Sequence, residues 1–176
     1  MATAKAAIAR PASGEYAPYY EKYIALVPEG DIVETLVQQL YSTLRLLRSI
    51  EEAQANKRYA PGKWSIKEVV GHLIDSERVF VYRAMRFARN DKTPLPGFEQ
   101  DDYVRSANFD DRQLADLAQE FEYVRQSTVQ LFKSLSEEAW SRRGAANDNE
   151  VSVRALAYIM AGHEAHHIGV LKSLYL

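Results

Sequence analysis

Three of the four histidines in this 176-residue chain fall in one pentapeptide, His163-Glu164-Ala165-His166-His167, and the fourth is His72. Residues four apart on an α-helix share a face and lie about 6 Å apart along its axis, so His163 and His167 can turn two imidazoles toward one ion. His166 lies about 100° further round and is expected to face away, at the surface or behind a ligand. The series Val153, Leu156, Met160, His163, His167, Val170 and Leu174 advances in alternating steps of three and four, which sets both histidines on a face meant for a core. Imidazoles buried without partners are costly. A lone core histidine usually finds a hydrogen bond, whereas two at this spacing are served together by a shared divalent cation. His72 falls about two turns into a second helical segment and His163 and His167 three to four turns into the last, so side-by-side packing can bring all three level. The spacing permits a three-histidine site without requiring it.

Other residues near these histidines carry chemistry of their own. Asp75 and Glu77 are close enough to His72 to orient a ligand or add a carboxylate, and read equally well as acids on a helix surface. His163 to His167 also fits the H-E-x-x-H pattern of zinc metalloproteases, where the glutamate is the general base. That reading is set aside, because no active-site strand is evident and nine residues follow His167, little room for a third ligand downstream. Glu164 stays a candidate catalytic base, since it adjoins a candidate ligand. Arg83, Arg86, Tyr103 and Trp64 are candidates to line a pocket around the ion, or else packing and surface residues.

The elements that must position these groups are helices. One opens at Asp31, with Glu34 three residues on, and carries the stripe Leu36, Leu40, Leu44, Leu47 and Ile50. A second opens with the capping box Ser65 to Glu68 and runs to about Asn90, burying Ile66, Val69, Val70, Leu73, Phe80 and Met85. Pro94, Pro96 and Gly97 then break the pattern, and residues 91–107 read as a long crossover holding at most a short helical turn. A third helix begins near Asp110 with the seam Leu114, Leu117, Phe121, Val124, Thr128, Leu131 and Leu135, in heptad-like steps. A polar loop, 144–150, leads to Ser152 as cap of the last helix. No segment alternates convincingly as a strand. The expected fold is all-α: a four-helix bundle over residues 31–176, with a long crossover between helices two and three. An N-terminal arm, residues 1–30, packs its tyrosines Tyr16, Tyr19, Tyr20 and Tyr23 across the bundle.

Composition excludes several function classes. The apolar share is 47%, the charged share 26% and the formal net charge −2, ordinary for a globular domain and not a field that draws nucleic acid. With no cysteine, disulfides, thiolate metal sites and cysteine nucleophiles are ruled out, and a reducing cytoplasm is compatible. No run of 18 apolar residues suits a membrane span. Met1 to Arg10 lacks the apolar block of a secretory signal and is expected to be a loose arm.

Three segments together resemble the DinB-like (DinB/YfiT) superfamily of four-helix-bundle metalloproteins, which includes thiol-dependent S-transferases. They are Pro61-Gly62-Lys63-Trp64-Ser65, Gly71-His72-Leu73-Ile74-Asp75-Ser76-Glu77, and Gly162-His163-Glu164-Ala165-His166-His167-Ile168-Gly169; the likeness extends from about Glu15 onward. It implies that His72, His163 and His167 bind a divalent metal ion, zinc or nickel, with water completing an open coordination. It further implies a homodimer and, in some branches, a small-molecule thiol or electrophile as reactant; a cytoplasmic location is expected from the cysteine-free composition. Val170 stands where the family often has glutamine, a change in pocket polarity. Two functions stay open: a metal-dependent enzyme, S-transferase or small hydrolase, and a non-catalytic metal-binding or stress-response bundle.

Overall fold

A computed structural model describes residues 8–176; the first seven residues of the expected loose arm lie outside the described residues. After two short 3-10 turns comes helix α1 (Glu21–Ile24), then α2 (Ile32–Arg48) and α3 (Ile66–Ala88). These are followed by α4 (Gln100–Ala107), α5 (Leu114–Ser134), α6 (Glu137–Ser141), the strands β1 (Arg143–Ala146) and β2 (Asn149–Ser152), and α7 (Val153–Val170). No helix is long and apolar enough to cross a membrane.

Local chemistry starts the long helices where the sequence places the caps. The Asp31 carboxylate accepts from Val33 N and Glu34 N, both at 2.9 Å. At α3 the capping box closes in both directions: Glu68 N donates to Ser65 Oγ (3.0 Å) and Ser65 N to Glu68 Oε2 (2.7 Å). Ser152 Oγ accepts from Ala155 N at 3.0 Å and starts α7. Such caps satisfy amide donors that a helix end otherwise leaves unpaired.

The bundle consists of α2, α3, α5 and α7, and its neighbours are not the sequential pairs. Helix α3 packs on α7 and α5, and α2 on α5 and α7. The consecutive helices α2 and α3 therefore stand diagonally opposite, as do α5 and α7. Helix α7 is buried nearly all round, from Val153 through Glu164, because α1 of the arm covers the side that α2 and α3 leave open. A helix apolar on every side has to lie inside. Gly162 lets the arm come this close, since a Cβ there would sit 1.9 Å from the Tyr23 carbonyl oxygen.

Several expectations are corrected. The third helix starts at Leu114 and not near Asp110, because Asn108 takes a left-handed conformation (φ 53°) and ends α4. Asp110 instead receives a hydrogen bond from Ser65 Oγ at 2.5 Å. The loop 144–150 is a β-hairpin with Arg143 opposite Ser152 and Ala146 opposite Asn149. Asn147 and Asp148 both have positive φ (51° and 58°), as a tight type I′ connection demands. Leu95 of the crossover extends this sheet by a parallel bridge to Ala146. Met85 is exposed, on the outer side of α3, and Leu174 is exposed because the last turn, Leu171–Tyr175, widens to π-helical pitch and buries Leu171 and Tyr175 instead.

Candidate metal centre

His72 comes from the middle of α3, and His163 and His167 from the C-terminal half of α7, where the two helices pack together. The structure brings the three rings to one point. His163 Nε2 lies 3.0 Å from His72 Nε2 and 3.1 Å from His167 Nε2, and one nitrogen from each ring falls within 4.8 Å of the others. Ring centroids are 4.6–4.9 Å apart, with the planes steeply inclined to one another. Metal–nitrogen bonds of ~2.0–2.1 Å at tetrahedral angles place their nitrogens ~3.3 Å apart. The observed spacing fits a single small cation.

Electrostatics keep these imidazoles in the ligating form. Burial lowers the His72 pKa to about 4. Burial, then the neighbouring His72, lowers that of His167 to about 3. His163 is held well below the ordinary histidine value by burial and by the adjacent His167 and His72. A neutral imidazole is what a metal requires. Ser76, one turn beyond His72, places its Oγ 3.4 Å from His72 Nδ1 and stands where it can fix the ring's tautomer. The walls are aromatic: Trp64 lies 4.7 Å from the His72 ring and stacks on His167 at 6.4 Å, while Tyr23 and Phe80 meet His163 edge-on at 5.4 and 5.9 Å.

No fourth histidine or carboxylate joins the trio among the described residues. Two cavities reach it instead. One of about 360 Å³ opens beside His167, between Trp64, Lys63, Tyr59 and Tyr175, with Val170 in its wall. Another of about 230 Å³ opens beside His163, with Arg83 and Ser76 in its wall.

The remaining candidates separate cleanly. His166 is exposed, with its ring against Tyr23 and at the edge of the larger cavity. Trp64 and Arg83 line cavities at the site. Arg86 does not: it is tied to Asp91 and Tyr82 on the outer side of α3. Tyr103 is exposed and packs on Phe98. Asp75 pairs with Arg78 at 3.5 Å, away from His72. Glu77 and Glu164 belong to a buried cluster on the other side of α7. Arg125 donates from Nε and Nη2 to Glu77 at 2.7–3.1 Å. The Glu164 Oε1 accepts from Thr43 Oγ1 at 2.6 Å, and its Oε2 forms an ion pair with Arg125 Nη2 at 2.7 Å. Burial raises the Glu164 pKa, against the pull of Arg125. Glu164 is thus turned from the ion position, and the carboxylate that lines the cavity beside His167 is Asp101. Sequence reading missed Ser76 as the partner of His72, although its i+4 spacing was available, and missed Arg125, which lies one position past Val124 of the third helix's seam and reads as a surface cation.

Comparison with known proteins places the whole chain. The model of the DinB superfamily matches residues 35–171. A protein of Oceanobacillus iheyensis named "Putative metal-dependent hydrolase OB0413" is 26% identical over 142 residues, 80% of this chain and 79% of its own. Among solved structures, YfiT from Bacillus subtilis, described as a probable metal-dependent hydrolase with an unusual four-helix bundle topology, superposes with a TM-score of 0.69 at 15% identity, covering 94% of this chain and 91% of that one. A mycothiol-dependent maleylpyruvate isomerase gives 0.64 at 15% identity over 78% of this chain and 58% of its own; at such identities the likeness is one of fold. The diagonal four-helix bundle and a family match spanning most of the sequence lead to one conclusion: the chain belongs to the DinB superfamily.

Proposed function

We propose that this protein is a metal-dependent enzyme acting on a small molecule, with zinc or nickel held by His72, His163 and His167. The observation that carries the reading is the convergence of three neutral Nε2 atoms, from helices distant in sequence, beside two cavities. When bound, such an ion supplies Lewis acidity, which makes hydroxide from water or thiolate from a thiol available near neutral pH. The chain's own residues supply the rest. Ser76 Oγ accepts the Nδ1 proton of His72 and so presents Nε2 inward. Trp64 and Phe80 exclude bulk water from the rings. Open space beside both His163 and His167 favours a reactive ion over a closed structural one, the distinction between catalytic and structural sites. The names of the relatives, a metal-dependent hydrolase and a mycothiol-dependent isomerase, support hydrolysis and thiol transfer as the two chemistries to test. A homodimer in a reducing cytoplasm completes the proposal, and light scattering of the purified protein tests the dimer.

The test is direct. Metal content by plasma mass spectrometry is expected to be one divalent ion per chain, and His167→Ala to abolish it. Turnover of ester substrates, or conjugation of glutathione-like and bacillithiol-like thiols to an electrophile, is expected with metal and not after chelation. One ion per chain retained in His167→Ala overturns the ligand set. Stoichiometric metal with neither activity, over a broad panel, supports the non-catalytic bundle instead.

A further inference from the structure

Arg83 is 5% exposed, yet among the described residues it forms no ion pair. Its Nη2 donates to the Pro96 carbonyl at 2.8 Å and its guanidinium lies over the Phe98 ring at 6.0 Å. Its remaining N–H groups meet no acceptor among the described residues, although a guanidinium carries five. A buried charge without a counter-ion is costly, and this core can pair one: Arg125 is met by two carboxylates. Arg83 also lines the 230 Å³ cavity that His163 lines. Tyr20 adds its ring to that wall and has no hydrogen bond on its hydroxyl among the described residues, and burial raises its pKa, which keeps it a proton donor. Glu99, at the exposed rim, is not within ion-pair distance of Arg83. The wall is rigid where it matters, because the Leu95–Ala146 bridge fixes the crossover on the hairpin and Pro96 follows Leu95 directly.

We propose that this cavity is a subsite for the carboxylate of a small-molecule substrate, bound by Arg83 with Tyr20 as a second donor, so that the rest of the ligand reaches His163. The assignment of the ligand as substrate rests on the metal-enzyme reading above; occupancy of the cavity by a carboxylate does not. A guanidinium fork matches a carboxylate's two oxygens and balances its single charge. A phosphate dianion would leave net negative charge beside Glu99. The tyrosine and phenylalanine rings around the cavity favour a planar or apolar body behind the carboxylate.

Benzoate and its neutral counterpart benzamide are suitable probes, titrated by calorimetry into the full-length protein of measured metal content, before and after chelation. Wild type is expected to prefer benzoate by ~tenfold or more, as a charge-assisted contact gives. Arg83→Gln is expected to erase that preference while metal content is unchanged, and Arg83→Lys to retain part of it. In labelled wild-type protein, benzoate and not benzamide is expected to shift the Arg83 Nε–H resonance, a reading that needs no variant to fold. Equal affinity for the two probes in wild type overturns the subsite. So does a preference kept by folded Arg83→Gln, or one that disappears on chelation, which would put the carboxylate on the ion. If the protein takes up no metal but prefers benzoate through Arg83, the metal reading fails and the subsite stands.

Discussion

Folding withholds the three imidazoles from water and so keeps them neutral to lower pH than in the unfolded chain, which links their proton affinity to stability. Their unfolded pKa is near 6.5 and their folded values lie lower, about 4 for His72 and about 3 for His167. Between those limits the unfolded chain binds more protons than the native one, so stability rises with pH there. Chelated protein is expected to keep its full stability above pH 6.5 and to lose it progressively as the pH falls toward 4, read as a falling midpoint in thermal melts. A midpoint flat from pH 7.5 to 4 would contradict the buried neutral state. Metal release should follow the same direction, because protons compete for the ligating nitrogens. On the other side of α7 the buried charges obey different rules. Arg125→Met strands Glu77 and Glu164 in the core and is expected to cost ~3–5 kcal/mol, measured by urea unfolding. Glu164→Gln removes one of two carboxylates competing for one guanidinium and keeps the Thr43 hydrogen bond available. It is expected to cost far less and to leave metal content and turnover in place; lost turnover with metal retained would restore Glu164 as a base.

At the scale of elements, the site depends on how closely α1 presses on α7. Tyr23 contacts His163 edge-on, and its backbone reaches Gly162 at a distance no side chain permits. Gly162→Ala is therefore expected to displace the arm and cost ~1–3 kcal/mol, seen as a lower melting midpoint and faster proteolysis of the segment before Ile32. Normal protease resistance in a stable variant would show that the arm does not depend on that contact. A second anchor is ionic: Glu15 is buried, yet Arg154, Ser152 and the Ala12 amide hold its carboxyl down at about 2 against burial. The helices α2, α3, α5 and α7 were legible because their apolar residues recur at three and four and their caps are explicit. The meeting of His72 with His163 and His167 was legible only as a possibility, since spacing along one helix says nothing of which helix lies beside it. Met85 and Leu174 failed for a related reason: a stripe drawn at ideal pitch drifts at the end of a long helix, and at a π-helical turn it slips by a residue. The hairpin escaped because four-residue strands are too short to show alternation, and its one signal was the Asn147-Asp148 turn. The start of α5 was misplaced because Asp110 resembles a cap while serving Ser65 and Arg58. Arg83 was readable as a pocket residue, but its lack of a counter-ion is visible only in three dimensions.

Over the whole molecule, the proposed ligands join segments that the chain keeps far apart. His72 and His163 are 91 positions apart in sequence, and α3 and α7, which carry them, also hold the largest packing contact between helices. A cation bound by both helices ties that contact in the native state and finds no preformed trio in the unfolded chain, so its binding energy adds to folding energy. At a free metal concentration ~1,000 times the dissociation constant, the gain is ~4 kcal/mol, which for a chain of this size raises the melting midpoint by roughly 10 °C. Removing the metal should reverse the shift without dissolving the bundle, because both large apolar clusters pack independently of the histidine nitrogens. The decisive comparison is between wild type and His167→Ala, melted with zinc and with chelator. Wild type is expected to move by that amount, whereas the variant, left with two of three ligands, moves by a small fraction of it. Equal shifts in the two proteins would mean that the stabilising ion binds elsewhere, and the convergence of the three rings would then need another explanation.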